Sequence, residues 1–415
     1  MQPPRKVCMD YQAGMPVAPE VIETLKPYLT EYFGNPGVLH GMGREPKLAI
    51  DDARAKIAAL INAERKEEIL FTSGGTESNN LAIKGIAFRN KEKGTHVITS
   101  SIEHMSILNP VKYLTKFGFK ASFLPVDPMG IVNLEALQKE ITNETILVSI
   151  MLANGEIGTI QPIKKISDII KANATGGRRI YLHVDATAAC GQLPIDVREI
   201  NADLMTLSSN DMYGPRGVGA LYVKTGTRLE PVIHGGGQER GLRSGTENIA
   251  GVVGMAKAAE LTKQRVLGDK EYLTHLRDKL IDNILEQVPE SHLNGHRTQR
   301  LPNNVNIRFT AVEGEGMILN LDDRGIYAAT GSACATKTLE PSYVLAAIGL
   351  DEVARHGTLL LTVSRYTTEE DVDYVLENVP SIIERLRSIS PLWKKQEWQQ
   401  MYTAGMKWQE QLSAE

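Results

Sequence analysis

Between Glu68 and Val223, short apolar runs alternate with segments whose apolar spacing suits helices. Glu68–Thr72 (EILFT), His96–Ser100 (HVITS), Thr145–Ile150 (TILVSI) and Ile180–Val184 (IYLHV) read as buried strands. Leu134–Glu140 and Ile163–Lys171 lie between such runs and carry helical apolar spacing. A chain with this alternation is restricted to an α/β fold, a mostly parallel sheet with crossover helices. In an open sheet of that kind, ligands gather at the carboxyl ends of the strands. The stretch Thr206–Gly217 (TLSSNDMYGPRG) ends one buried run, turns through polar residues and enters the next at Val218–Val223. It is therefore a candidate pocket wall.

After about Gly251 the pattern changes. A long charged helix is expected over Met255–Leu285, then a strand-like run at Asn303–Phe309 and a helix over Glu369–Arg387. The expected organisation is a large domain over 15–255 and a smaller α/β domain from 1–14 and 256–415. A chain of 415 residues suits about two or three domains. The stretch Ser390–Trp398 (SPLWKKQEW) reads equally as a partner-binding tail and as a helix packed on its own domain.

Composition narrows the functional classes. With 42% apolar and 23% charged residues and a formal net charge of -4, the chain has no electrostatic footprint for nucleic acid or an anionic membrane. No apolar run reaches transmembrane length, and no hydrophobic signal core follows Met1. The three cysteines, Cys8, Cys190 and Cys334, are odd in number and widely spaced. They argue against a disulfide framework or a zinc site and for a reducing cytoplasm. Cys334 stands in a run of small residues (GSACATK) with Lys337 close enough to favour its thiolate, whereas Cys8 and Cys190 have apolar neighbours and read as inert.

Several polar motifs follow the predicted strands. Phe71–Asn80 (FTSGGTESNN) ends a strand and opens a helix near Gly75 and Thr76, a place where backbone N–H groups and the helix dipole cradle phosphate. Many α/β turns carry such glycines for steric reasons alone. Asp185 closes a buried strand, where a carboxylate either caps a helix or pairs with a protonated ring nitrogen. His104 also follows a strand, placed to stack on a ring, to move protons, or simply to pack. Gly235–Thr246 is a glycine-rich polar loop able to bring donors close to an anion.

In this order, these motifs resemble the NifS/IscS-type cysteine desulfurases, pyridoxal-phosphate proteins of the class V aminotransferase family and fold type I. The resemblance runs from about Met9 almost to the C-terminus. It rests on Phe33–Pro36 (FGNP), Thr72–Ser78 (TSGGTES), Glu103–His104, Glu156–Gly158, Asp185–Thr187, Tyr213–Pro215, Arg243–Thr246, Gly331–Cys334 and Leu339–Tyr343. It implies a seven-stranded-type sheet between helices and a smaller α/β domain, in a homodimer that takes sulfur from L-cysteine. Sulfur would become a persulfide on Cys334, leaving alanine, and pass to an iron–sulfur scaffold protein of the U type. Cofactor-binding roles fall on Gly75, Thr76, His104, Asp185, Ser208, Asn210 and Thr246, the last reaching across the dimer. Asn35 and Arg365 are the implied substrate residues. Cys334, His104 and Asp211 are the implied catalytic ones, with Cys334 also a possible iron–sulfur ligand in a partner complex.

The pattern departs from the family at its centre. Where the family reads Ser-x-His-Lys-x-Tyr-Gly-Pro, this chain has Ser208, Asn210, Asp211, Tyr213 and Pro215. A carboxylate at Asp211 forms no imine with an aldehyde, so the resemblance implies pyridoxal 5'-phosphate held noncovalently. Gly155 stands where an amide is expected near the ring hydroxyl, Ala188 where a Gln is expected, and Leu360 where an Arg clamps the substrate carboxylate. Ala13–Pro16 (AGMP) replaces an Ala-Thr-Thr-Pro run. Two functional expectations follow: a desulfurase in which Asp211 or His104 moves the α-proton, or a sulfur carrier or assembly partner built on Cys334.

Overall fold

The computed structural model describes residues 5–174, 176–331 and 342–394. Cys334 and Lys337 lie outside the described residues. Strands follow in the order β1 (Val7–Cys8), β2 (Ile69–Thr72), β3 (His96–Ser100), β4 (Lys120–Leu124), β5 (Thr145–Met151), β6 (Tyr181–Asp185), β7 (Leu204–Ser208), β8 (Gly219–Val223), β9 (Ser291–Leu293), β10 (Asn304–Phe309), β11 (Ile326–Tyr327) and β12 (Thr358–Thr362).

Seven of them form one sheet in the order β2-β8-β7-β6-β5-β3-β4. All neighbours pair in parallel except β8, which runs antiparallel to β2 and β7. The reason lies in chain length: the connection from β7 to β8 holds only a 3-10 turn, Asn210–Met212, too short for the crossover a parallel pair requires. Strands β2, β3, β5, β6, β7 and β8 are buried along their length, as expected for a sheet covered on both faces. The edge strand β4 is half exposed. The helix Gly75–Arg89 packs Leu81, Ala82, Ile83 and Ile86 into the core beneath the sheet, with Leu70, Val97, Leu147 and Leu221 facing it.

The chain divides into two compact units. One spans Gln12–Tyr272 with His296–Pro302; the other holds the N-terminal strand, Leu273–Gly295 and the chain from Asn303 onward. The division falls inside the helix Ile249–Gln287, beyond the expected border after residue 255. Packing explains this. The start of that helix rests on the turn after β7: a β-carbon on Gly254 would stand 2.8 Å from Pro215, and one on Gly214 would stand 3.1 Å from Ala258.

The second unit contains the antiparallel sheet β12-β10-β9 and the parallel pair β1-β11. Its core joins Leu276, Leu280 and Ile284 to Val305, Ile307, Leu359, Val375 and Val379. Arg387, buried on the helix Glu369–Ile389, donates to the carbonyls of Thr310, Pro289 and Glu290. Trp393 lies over its guanidinium, 4.3 Å from ring centroid to carbon, so this part of the tail packs on its own unit. Among the described residues, no helix is long and apolar enough to cross a membrane.

Candidate cofactor site

The phosphate-type corner is built by three strand ends. After β2, Gly74 takes φ +148°, a conformation that glycine reaches without strain, and the helix Gly75–Arg89 begins. Thr72 Oγ1 bonds Ser78 Oγ at 2.8 Å, and the Ser73 N–H donates to Glu77 at 2.8 Å. Glu77 pairs with Arg243 at 2.9 Å. Burial alone would raise the Glu77 carboxyl, but the Arg243 and Ser73 bonds outweigh it and hold the group below its usual range. The helix start is thereby fixed, with its N–H groups and positive dipole end facing outward. Gly219 of β8 lies against Gly74, where a β-carbon would stand 2.7 Å from the Gly74 backbone. Gly219 pairs with Ser208, so the end of β7 lies beside this corner.

Next to it runs a continuous polar chain. Asp185, at the end of β6, accepts from Asn79 Nδ2 at 2.7 Å, from the Thr187 N–H at 3.0 Å and from the Thr187 hydroxyl. Asn79 also donates to Ser106 Oγ at 2.8 Å, and Ser106 Oγ meets His104 Nδ1 at 2.7 Å. The Ser106 N–H donates to the same Nδ1 at 3.1 Å, making His104 the cap of the helix Met105–Leu114. Because Nδ1 accepts, the neutral ring carries its proton on Nε2. Asn79 and Ser106 thus orient both Asp185 and His104, a function that the sequence reading missed. The available signal was Asn79 one helical turn beyond Thr76.

Burial sets the ionisation around this chain. Glu103 accepts from Ser100 at 2.6 Å, and burial pushes its carboxyl up to about 8. His183, bridged between Ser149 and Thr206, is held neutral because burial disfavours its charged form. Asp211 keeps some solvent contact, yet the protein packed around its carboxyl pushes it up to about 7. The Asp185 charge adds to that rise, while a hydrogen bond with Ser208 opposes it. The backbone of Gly191 presses on this turn: at φ +85°, a β-carbon there would come within 2.5 Å of the Asp211 carbonyl. The neighbouring Cys190 is buried, and burial and the Asp211 charge drive its thiol far up, which suppresses the thiolate. Cys8 is half-buried, its thiol also raised by burial.

The remaining expected site residues are less closely gathered. Asn210 Oδ1 accepts from Arg216 at 3.3 Å. Asn35 is exposed and spends its side-chain oxygen on the N–H of Gly37 at 2.8 Å. Thr246 is exposed on the loop that carries Arg243. Asn154 is consumed structurally, donating to the Ile102 carbonyl and accepting from the N–H groups of Glu156 and Ile157. Arg365 and Leu360 belong to the second unit, where Leu360 is a buried residue of β12 paired with Asn306. An open cavity of about 490 Å³ is lined by Thr76, Lys84, His104, Ser106 and Tyr113, among others. Lys84 Nζ lies 4.9 Å from the Tyr113 ring centroid.

The residues present fit pyridoxal phosphate: a helix start for the phosphate, a hydrogen-bonded carboxylate for the ring nitrogen, and a histidine beside them. This fold and polar set define a protein of the pyridoxal-phosphate fold type I class. The class-V aminotransferase family model matches residues 7–375, and that family depends on pyridoxal phosphate. Within that family, the chain belongs to the NifS/IscS-type cysteine desulfurases. A protein named cysteine desulfurase IscS 1, from Archaeoglobus fulgidus, is 55% identical over 386 residues, covering 93% of this chain and 99% of its own. The solved structure of a NifS-like protein superposes with TM-score 0.85 at 35% identity, covering 92% of this chain and all of that one. A structure described as SspA in complex with cysteine has TM-score 0.77 at 34% identity, covering 88% of this chain and all of the other.

Proposed function

We propose that the protein mobilises sulfur from L-cysteine as a persulfide on Cys334 for iron–sulfur cluster assembly, leaving alanine, with pyridoxal phosphate held noncovalently. The observation that carries this reading is the Asp185–Asn79–Ser106–His104 chain beside a fixed helix start. Gly75, Thr76 and Ser208 hold the phosphate, Asp185 the ring nitrogen and His104 the ring face. When bound, the cofactor withdraws electrons from the substrate's α-carbon. Asp211, with a carboxyl that ionises near neutrality, exchanges a proton at the α-carbon, and His104 supplies the second proton site. Cys334, as thiolate, attacks the substrate sulfur: an S–S bond forms, the C–S bond breaks, and its electron pair with one proton completes alanine. Asn35 and Arg365 are the proposed substrate contacts. Thr246 completes the phosphate site across a homodimer, and an iron–sulfur scaffold protein receives the sulfur.

One observation favours a second reading. Asp211 is an enclosed carboxyl at the place where the family resemblance expects lysine, and it offers no amine. On that reading, the Cys334 thiolate takes the outer sulfur of a donor protein's persulfide, releasing the donor thiol, or lends a ligand to a cluster on the scaffold. Sulfide release from cysteine in the presence of a thiol reductant separates the two, measured for the wild type, Cys334→Ser and Asp211→Lys. Release by the wild type that is lost in Cys334→Ser supports the first reading. Silence until Asp211→Lys supplies an amine sinks it and supports the second.

A further inference from the structure

The chain segment that enters the large unit crosses the pocket. Gln12 lays its carboxamide on Gly155: a β-carbon there would stand 2.5 Å from Nε2 and 3.0 Å from Cδ of Gln12. Gly14 lies under the guanidinium of Arg216, which is bonded to Asn210. The Ala18 N–H donates to the Tyr213 carbonyl at 2.9 Å. Gly155 belongs to the loop after β5, whereas Asn210, Tyr213 and Arg216 belong to the stretch after β7. In the sheet, β6 lies between β5 and β7, with Asp185 at its end. A segment tied to both loops therefore passes over the end of β6, with Gln12 at the β5 side.

We propose that Gln12 is a cofactor-positioning residue whose carboxamide serves the ring edge of the pyridoxal pocket. Gly155 lacks a side chain, and that leaves the carboxamide its space. The inference rests on the pyridoxal phosphate reading above. A pyridoxal ring presents a phosphate, a ring nitrogen, an aldehyde and a phenolic oxygen. The helix start and Asp185 serve the first two. A carboxamide suits the phenolic oxygen, since Nε2–H donates to its ionised form and so favours ionisation. Gly155 offers no side-chain amide; Gln12 brings one to the same spot from a distant part of the chain. Because Gln12 is flexible, a side chain added at 155 displaces it without rebuilding the backbone.

The test titrates pyridoxal phosphate into wild type, Gln12→Ala, Gly155→Ala and Gln12→Ala/Gly155→Asn in an amine-free buffer. The readouts are the absorbance and induced circular dichroism of the bound chromophore against pH. Expected is a raised pH midpoint and an affinity about two- to tenfold weaker in Gln12→Ala. Gly155→Ala should reproduce both shifts, and the double variant, which supplies an amide at 155, should reverse them. A bound chromophore whose midpoint in Gln12→Ala stays within about 0.3 pH unit of wild type, with an affinity within twofold, overturns this inference alone. No induced signal in the wild type overturns the pyridoxal reading and this inference with it.

Discussion

Replacing Asp211 with Asn removes a carboxyl that the fold holds at an awkward ionisation. Its pKa stands at about 7 against an ordinary 3.8, chiefly through burial, with the Asp185 charge adding to the rise. A carboxyl raised above its unfolded value contributes stability that is fully present below about pH 4. That contribution is lost as pH climbs through 7. Between pH 5 and pH 8, the loss integrates to roughly 2–3 kcal/mol. Residual solvent contact at Asp211 screens the charge, so a measured change of about 1–3 kcal/mol is expected. The Asp211→Asn variant has no such proton to lose. Its stability relative to wild type should therefore rise by that amount between the two pH values, read as the difference in urea midpoints scaled by a common slope. An unchanged difference, within about 0.5 kcal/mol, would refute the claim that burial holds this carboxyl near neutrality.

Two further outcomes follow from the same electrostatics. Glu103→Gln should gain stability over wild type between pH 6 and pH 9, because the Glu103 carboxyl, raised to about 8, loses its favourable protonated state over that interval. Paired thermal scans at the two pH values check this, and a gain at pH 6 equal to that at pH 9 contradicts it. Asp185→Asn removes the charge placed for the ring nitrogen and should weaken pyridoxal phosphate binding by about 1.5–3 kcal/mol, roughly 10- to 150-fold. An absorbance titration within twofold of wild type would dismiss Asp185 from that role.

Much of the architecture was legible in the sequence because buried strands in a two-sided sheet read as unbroken apolar runs. β5, β6 and β8 are of this kind, and the long helix and β10 announced themselves by periodicity and length. The strand β4 escaped because Lys120, Ser122 and Phe123 of an edge strand keep solvent contact and blur the pattern. The helix Arg44–Leu60 was not foreseen either, since only Pro46, Ile50, Ala53, Ile57 and Ala58 of its length are buried. At the site, the placement of Gly75, Thr76, Asp185 and His104 at or just past strand ends was legible, because each lies where an apolar run stops. The hydrogen bonds of Asn79 to Ser106 and Asp185, and the approach of Gln12 to Gly155, were not, because they join residues far apart in the chain. The ionisation of Asp211 was also invisible, since it depends on how much protein surrounds one carboxyl.

The proposed pocket grips pyridoxal phosphate without a covalent bond. Borohydride treatment of the protein loaded with pyridoxal phosphate, followed by intact mass measurement after denaturation, tests it most directly. An induced chromophore signal in the native protein and an unmodified chain mass after reduction are expected. A pyridoxyl adduct fixed to a lysine, or no induced signal at all, would contradict it.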